Sequence, residues 1–299
     1  SSITGSNQPL FVVDGIPIDN STNSSLDVAS INRASDINPA DVESISILKG
    51  PAAAALYGIQ AASGAVIITT KKGKAGVSTI SYSGSLSVDK ILGTPDVQSA
   101  YGQGMEIVTE SGTEYDPESS FSWGAPLAAG TPIYYNMEDF YKTAITQNHN
   151  VSYSSGTEKS NLYFSIGDMS QDGIIPSTSY DKTSFKINAN SKFGDNFTIG
   201  ISGNYIDTKT ASTRQGNSTG GSLNSLLAYP VNVNAKDYLN EDGLQEPFYL
   251  DQQFDNAYWS IANSPNNNNV KRLIGVLNLS YNFLNDFNLT YKIGTDDYH

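Results

Sequence analysis

The sequence predicts an antiparallel β-barrel of the membrane type, incomplete and preceded by a small α+β unit. From Val77 onward, apolar residues recur at every second position in about seven segments, which is the period of a β-strand. The chain has 18 Tyr, 11 Phe and 26 Gly, yet its hydrophobic fraction is only 38%. Long and short connections alternate between the predicted strands, a pattern typical of outer-membrane barrels.

The first 76 residues carry mixed patterns that predict the small α+β unit. Gly50 and Pro51 stop a strand and precede a short Ala-rich helix, which Gly58 ends. Asp14-Gly15 is a tight-turn dipeptide, because glycine accepts a positive φ. The predicted elements are strands at Leu10–Val13, Val42–Leu48 and Ala65–Thr70, a turn at Asn38–Asp41 and helical turns at Ala52–Tyr57.

From residue 77 to residue 299 the pattern is that of long amphipathic strands. Each has an apolar face and a second face made mostly of Ser, Thr, Asn and Lys. The apolar positions are Ile80, Tyr82, Leu86 and Val88; Val151 and Tyr153; Leu162, Phe164 and Ile166; Phe185, Ile187 and Ala189; Phe197, Ile199, Ile201 and Tyr205; Leu273, Leu277, Leu279, Tyr281 and Phe283; and Phe287, Leu289, Tyr291 and Ile293.

The connections distinguish a membrane barrel from a soluble sandwich, which also alternates apolar and polar positions. Barrels in the outer membrane have short turns on one side and long loops on the other, whereas a sandwich has no reason to sort its loops in this way. In order, the predicted connections are 90–144, 156–160, 171–180, 192–196, 209–269 and 284–286. We therefore expect long external loops at 90–144 and 209–269.

A complete bacterial barrel has an even number of strands, so seven strands do not make one. An open edge would also leave backbone groups unpaired in lipid. The start at Ser1 resembles neither a signal peptide nor a translation start. We therefore expect this chain to be part of a larger protein.

Composition excludes several other classes of protein. The 299 residues contain 17 Lys and Arg against 30 Asp and Glu, a formal net charge of −13. Nucleic-acid binding is not expected, because phosphate contact requires a basic face. There is no cysteine and there are only two histidines, His149 and His299, which excludes disulfides, cysteine-ligated metals and multi-histidine sites. No segment approaches the roughly 20 apolar residues of a membrane-spanning helix.

With these residues in view, the chain resembles the SusC/RagA branch of the TonB-dependent outer-membrane receptors. The resemblance covers about residues 1–90 and 138–299, and the combined run of motifs in the first 73 residues is highly specific. The segments that carry it are Pro9–Pro17, Ile37–Ile45, Leu48–Gly58 and Gly64–Gly73, with Asn148–Ser152 and Asp172–Ile175 further along.

The resemblance implies a plug domain inside a 22-stranded barrel. Residues 1–76 would be the later part of the plug and residues 77–299 the first seven strands. Such receptors import large nutrients, oligosaccharides or peptides, across the outer membrane of Gram-negative, Bacteroidota-like bacteria. TonB acts through an N-terminal region that is missing here, and a SusD-like surface lipoprotein forms a lid. No enzyme activity and no cofactor are expected. Acidic loop oxygens suit calcium, but no Asp-x-Asp-x-Asp-Gly spacing supports it.

The resemblance also points to residues that hold the plug together or hold it in the barrel. Glu43 and Lys49 lie six apart on one strand and share a face. They are either solvated edge charges or partners of charges on the barrel wall. The full set is Asp14, Gly15, Glu43, Lys49, Gly50, Tyr57, Gly58 and Gly64.

Aromatic residues among carboxylates in the two long loops are candidates for contact with a ligand or with the lid. The six are Tyr101, Trp123, Tyr134, Tyr135, Tyr249 and Trp259. Simple loop packing is the alternative for these side chains. For the whole chain, one rival is a secreted β-rich glycan-binding or adhesin module, soluble in water and with an apolar core between two sheets. A second rival is a carbohydrate-active enzyme that uses paired loop carboxylates.

Overall fold

A computed structural model of the chain describes residues 7–21, 32–76, 78–119, 121–214, 221–246, 255–283 and 287–299. In chain order its strands are β1 (Leu10–Val13), β2 (Ile16–Ile18), β3 (Val42–Leu48), β4 (Ala65–Thr70), β5 (Ser78–Asp89), β6 (Gly104–Thr109), β7 (Gly112–Asp116), β8 (Ser122–Trp123), β9 (Ala144–Gly156), β10 (Ser160–Asp172), β11 (Ser179–Phe193), β12 (Phe197–Ser212), β13 (Asn266–Phe283) and β14 (Phe287–Tyr298). The helices are α1 (Gly50–Tyr57), α2 (Asn136–Phe140), α3 (Ser222–Ala228) and α4 (Ala257–Asn263).

A four-stranded sheet, in the order β2-β1-β4-β3, forms a small domain with α1 packed against it. β1 runs parallel to β4, and the other pairs are antiparallel. Asp14 and Gly15, with φ of 49° and 84°, make the tight turn between β1 and β2 that this dipeptide predicts. Single-turn 3₁₀ helices at Arg33–Asp36 and Pro39–Asp41 precede β3, each capped by an asparagine side chain.

The large sheet has seven antiparallel strands in the order β14-β13-β12-β11-β10-β9-β5, which confirms the predicted number. Its two faces have opposite character. On β11 the outer side chains Phe185 and Ile187 are each 41% exposed, whereas the inner Lys186 and Asn188 are 2% and 3% exposed. The polar face is buried because the small domain lies against it, and a soluble sandwich would show the reverse arrangement.

Apolar contacts also join the small domain to the large sheet. Val13, Ile18 and Ile68 of the small domain form one buried cluster with two inner residues of the large sheet, Ile206 and Ile274. The polar inner face is therefore interrupted where the turn between β1 and β2 approaches it. This limited apolar contact leaves much of the interface to hydrogen bonds and ion pairs.

The two long connections fold together at one end of the large sheet. The first carries the three-stranded sheet β7-β6-β8 and α2, and the second carries α3 and α4. Phe140, Leu226 and Ala257, one from each helix, share a buried cluster that Ile175 of the short connection 173–178 also contacts. No helix in the described ranges is long and apolar enough to cross a membrane.

Candidate functional site

The most highly connected side chain between the small domain and the large sheet is Arg272 of β13, which is 1% exposed. Its Nε and Nη2 donate to the two carboxylate oxygens of Asp296 on β14, both at 2.7 Å. Its Nη1 donates to Oδ2 of Asp36 at 2.9 Å and to the carbonyl oxygen of Arg33 at 2.7 Å. Nη2 also donates to the carbonyl oxygen of Asp19 at 2.8 Å. All five N–H donors of the guanidinium are used, three of them by the small domain.

The surroundings of Arg272 balance its charge. The side chain of Arg33 lies 3.9 Å from Asp36. The ring of Tyr298 lies 5.7 Å from the guanidinium carbon of Arg33 and 5.8 Å from that of Arg272. Burial raises the pKa of Asp36, although the hydrogen bond and the charge of Arg272 oppose this shift. Two cations and two carboxylates therefore form one buried cluster, and its parts come from both sheets.

A second link is centred on Asp14, in the turn between β1 and β2. Its carboxylate accepts hydrogen bonds from the Thr70 hydroxyl at 2.7 Å, the Ser202 hydroxyl at 2.9 Å and the Lys186 ammonium at 3.3 Å. The backbone carbonyl of Asp14 accepts from Lys292 at 3.1 Å. Burial opposes ionisation of Asp14, but Lys186 and these hydroxyl groups outweigh it and lower the pKa.

A third link joins the second 3₁₀ helix to β9, β10 and β11. Asp41 accepts hydrogen bonds from the side chains of Tyr163, at 2.9 Å, and Ser165. The amide nitrogen of Asn38 donates to Asn150 at 3.0 Å and to Ser184 at 3.3 Å. Gly167 permits this approach, because a Cβ there would lie 2.4 Å from the Asn38 nitrogen.

We expect Asp14→Asn in the full-length protein to loosen the β1–β2 turn, because Lys186 would remain buried without a counter-ion. Hydrogen exchange of β1 and β2, measured in detergent at pH 7, should accelerate at least about tenfold. Because the folded pKa of Asp14 is lowered, the ion pair contributes fully above pH 3.8 and is lost as the pH falls through that lower pKa. The difference between the variant and the wild type should therefore persist down to about pH 4.

The matched control for this variant is Glu43→Gln, which removes an exposed carboxylate from the same domain. We expect it to leave the exchange of β1 and β2 unchanged. Equal exchange in Asp14→Asn and the wild type would contradict the role given to Asp14.

Glu43 and Lys49, two of the other predicted residues, are exposed on the small domain. Among the described residues, Glu43 lies 4.0 Å from Lys74 and both side chains are exposed. Lys49 is exposed just before α1. In the described residues neither Glu43 nor Lys49 forms an ion pair with the large sheet, and their pairing with charges elsewhere on the barrel wall stays a prediction. β3 is an edge strand of its sheet, and in this chain its side chains are exposed: Ile45 and Ile47 are 60% and 75% exposed.

The remaining predicted residues shape the turns around α1 and β1. A Cβ on Gly50 would lie 2.7 Å from the Ala62 carbonyl, and one on Gly64 would lie 2.9 Å from the Leu48 carbonyl. Gly58 ends α1 with a φ of 73°, and Tyr57 packs on the alanine cluster beneath this helix. Gly15 approaches Lys292 closely: a Cβ there would lie 2.6 Å from the ammonium nitrogen.

The loop aromatics fall into separate groups. The rings of Tyr101 and Trp123 lie 5.6 Å apart, and Trp123 is 59% exposed. Tyr134 and Tyr135 line a cleft of about 320 Å³ between the two long loops. Trp259 is half-buried on α4. Tyr249 lies outside the described residues. No group of acidic or histidine side chains in the described ranges is arranged to hold a metal ion.

The sequence prediction missed the cluster centred on Arg272, with its partners Asp36 and Asp296. One signal could have marked Arg272. It precedes the apolar Leu273 on a strand, so it has inner parity, and an arginine in the buried face of a strand requires a partner. Nothing in the sequence identifies which carboxylate that partner is.

Comparison with known proteins agrees with this architecture. Residues 2–65 match the family model of the TonB-dependent Receptor Plug Domain. The chain is 32% identical over 270 residues to the TonB-dependent receptor SusC of Bacteroides thetaiotaomicron, with 89% of this chain and 25% of that protein covered. It is 28% identical to the TonB-dependent receptor P26 of Formosa agariphila, with 98% and 27% covered. The chain thus spans about a quarter of the length of these curated relatives.

Solved structures share the fold. The RagAB peptide importer in its closed-closed state matches with a TM-score of 0.70 at 20% identity, over 98% of this chain and 35% of that chain. The RagAB peptide transporter matches with a TM-score of 0.68 at 21% identity, over 97% and 35%. The small domain is therefore a plug and the large sheet is part of a barrel wall. The chain belongs to the SusC/RagA-type TonB-dependent receptors.

Proposed function

We propose that this chain provides the plug and seven wall strands of an outer-membrane transporter that imports a large nutrient, an oligosaccharide or a peptide. The observation that carries the proposal is the polar interface between plug and wall, centred on Arg272, Asp14 and Asp41. When such an interface separates, water takes over its hydrogen bonds, so each bond to a charged group contributes only about 1.5–3 kcal/mol net. A plug held by such bonds stays in the barrel at rest. It can still be moved by a directed pull, because bonds to water replace the bonds that break.

The pull would come from TonB, acting through a region that precedes the plug. A SusD-like lipoprotein would cover the loop end of the wall, where β6, β7 and the helices α2–α4 lie. The host would be a Gram-negative, Bacteroidota-like bacterium, in keeping with the SusC relative from Bacteroides thetaiotaomicron. The proposed activity makes and breaks no covalent bond and uses no cofactor.

The exposed apolar face of the wall argues against the rival reading of a secreted adhesin or glycan-binding module. That reading requires the apolar face to lie between two sheets. Phe185, Ile187 and Ile201 instead lie on the outside, each 41–43% exposed. A face of this kind is suited to contact with lipid.

The proposal is tested by locking the plug to the wall. A Cβ at Gly294 of β14 would lie 2.5 Å from Cγ1 of Ile16 on the plug strand β2. Adding one C–C bond, the two Cβ atoms lie within about 4 Å, which is disulfide geometry. The chain has no cysteine of its own. We therefore expect Ile16→Cys with Gly294→Cys, in a full-length receptor cleared of other cysteines, to form a disulfide that holds the plug.

The readout is growth on a nutrient that the wild-type receptor supports and a deletion strain does not, found with a panel of glycans and peptides. The oxidised double variant should lose at least about 90% of uptake and regain it after reduction, because the plug cannot leave the wall. Each single-cysteine variant serves as a control for the substitutions themselves. Normal uptake by the fully cross-linked receptor would contradict plug movement as the route of import.

A further inference from the structure

A cavity of about 500 Å³ lies between the plug and the inner face of β9, β10 and β11. The plug contributes Ser35 and Asn38 from its two 3₁₀ helices, and the wall contributes Met169, Gln171, Tyr180 and Lys182. Because β10 ends at Asp172 and β11 begins at Ser179, the cavity is near the end of the wall that carries the long loops. It therefore lies on the path from those loops to the plug.

The cavity contains a buried cation with incomplete hydrogen bonding. Lys182 is 8% exposed, and its ammonium donates to the carbonyl oxygen of Ser35 at 3.2 Å. In the described part of the chain, no carboxylate lies within 4.0 Å of this ammonium. An ammonium has three donors, and a buried charge without a counter-ion is unfavourable.

Each of the two neighbouring plug carboxylates is held by other partners through one oxygen, and its second oxygen, Oδ1 of Asp36 or Oδ2 of Asp41, is buried without a hydrogen-bond partner in the described residues. Asp36 and Asp41 of the plug act on Lys182 electrostatically. Asp36 is bound by Arg272, and Asp41 accepts from two hydroxyl groups of β10. Asp168, at the edge of the cavity, accepts from Thr183 on the outer face of the wall. None of these carboxylates lies within 4.0 Å of the Lys182 ammonium in the described residues, so the ammonium keeps donors for a group that enters the cavity.

A second donor faces the same space. The hydroxyl oxygen of Tyr180 is buried and has no hydrogen-bond partner among the described residues. Tyr180 and Lys182 are two apart on β11, so both side chains lie on its inner face. A negatively charged oxygen in the cavity would accept from the hydroxyl and the ammonium together.

From these contacts we infer that the cavity binds a carboxylate group of the imported nutrient, with Lys182 as its counter-ion and Tyr180 as a second donor. The inference rests on the proposed function and narrows the nutrient to one that carries a carboxylate. That group occurs at the C-terminus of a peptide and on an acidic sugar, and both present the same two oxygens to Lys182. A neutral counterpart would leave the ammonium with the Ser35 carbonyl and no carboxylate within ion-pair distance.

The test is binding of matched probes to the purified full-length receptor in detergent. Trialanine is compared with trialanine amide, and digalacturonic acid with its methyl ester, by titration calorimetry. In at least one pair we expect the carboxylate form to bind at least about tenfold more tightly, since its charge pairs with a buried ammonium. The pair that shows the preference identifies the source of the carboxylate.

Lys182→Gln should abolish this preference and leave the affinity for the neutral probe within about twofold. Tyr180→Phe should weaken binding of the carboxylate probe by at least about tenfold, because it removes one hydrogen bond to a charged group. The control is Lys159→Gln, an exposed lysine in the connection between β9 and β10. Each variant is first shown to keep the heat-modifiable gel mobility of a folded barrel.

The inference is overturned if neither carboxylate probe binds better than its neutral counterpart, or if the preference survives in Lys182→Gln. The measurement involves neither TonB nor plug movement. Absence of a carboxylate preference would not contradict the transport proposal. Conversely, normal uptake by the cross-linked receptor would not contradict the carboxylate site.

Discussion

Arg272→Met in the full-length receptor is expected to release the plug from β13 and β14, at a cost of about 3–5 kcal/mol. The substitution removes five hydrogen bonds, leaves Asp296 without a cation and leaves Asp36 with only Arg33, at 3.9 Å. Hydrogen exchange of β1, β2 and β4 should accelerate by more than about a hundredfold. The same variant should make cells sensitive to vancomycin, a solute that an intact outer membrane excludes.

The chain offers a close control for this prediction. Lys271 is the preceding residue on β13, but it lies on the opposite, exposed face of the strand. We expect Lys271→Met to change neither exchange nor permeability.

Further variants separate charge from geometry. Arg272→Lys keeps the charge but cannot make the bidentate contact to Asp296, so an intermediate effect is expected. Adding Asp296→Asn to Arg272→Met should recover part of the loss, because Asp36 keeps Arg33 beside it and no carboxylate is then left without a cation. Wild-type exchange in Arg272→Met would show that this cluster does not hold the plug.

The features that follow from neighbouring residues could be predicted from the sequence. The strand period of two determines which side chains share a face. It therefore places Phe185 and Ile187 on one face of β11 and Lys186 and Asn188 on the other. The turn at Asp14-Gly15 and the end of α1 at Gly58 depend on backbone conformations that glycine accepts readily. These features need only local information, and the structure agrees with each of them.

The contacts between plug and wall could not be predicted, because they depend on distant parts of the chain. Asp36 and Arg272 are 236 residues apart, and Asp14 and Ser202 are 188 apart. The strand period indicates that the side chain of Arg272 faces inward. It does not indicate which acidic residue of the plug lies close enough to bind it. Glu43 and Lys49 satisfy the same local rule, yet Glu43 lies on β3 and Lys49 just after it, away from the described strands of the wall.

The packing of the two long loops could not be predicted from the sequence, for a related reason. Their packing is held by single buried amides whose partners lie far along the chain. Asn136 donates to the carbonyl of Val233 at 2.8 Å and accepts from the backbone of Ala235 at 2.9 Å. Asn256 in turn donates to the carbonyl of Ala235 at 2.8 Å. A polar residue in an aperiodic segment gives no indication that it will be buried.

Ile293→Arg is expected to impair assembly of the receptor in the outer membrane, because it places a charge on the lipid-facing side of β14. Ile293 lies near the middle of that strand, opposite Leu277, and is 51% exposed. An arginine at the bilayer midplane of a barrel costs about 2–4 kcal/mol. The yield of heat-modifiable receptor in the outer-membrane fraction should therefore fall severalfold.

Thr290→Arg is the matched control, because it puts the same side chain on the same strand but on the inner face. Thr290 is exposed and bonded to Asn288, and Asp296 on this face contacts Arg272. Its arginine would project into water, so the cost should stay below about 1 kcal/mol. The comparison depends on which face meets lipid. Normal yield from Ile293→Arg together with failure of Thr290→Arg would reverse the two faces of the wall and, with them, the proposal of transport.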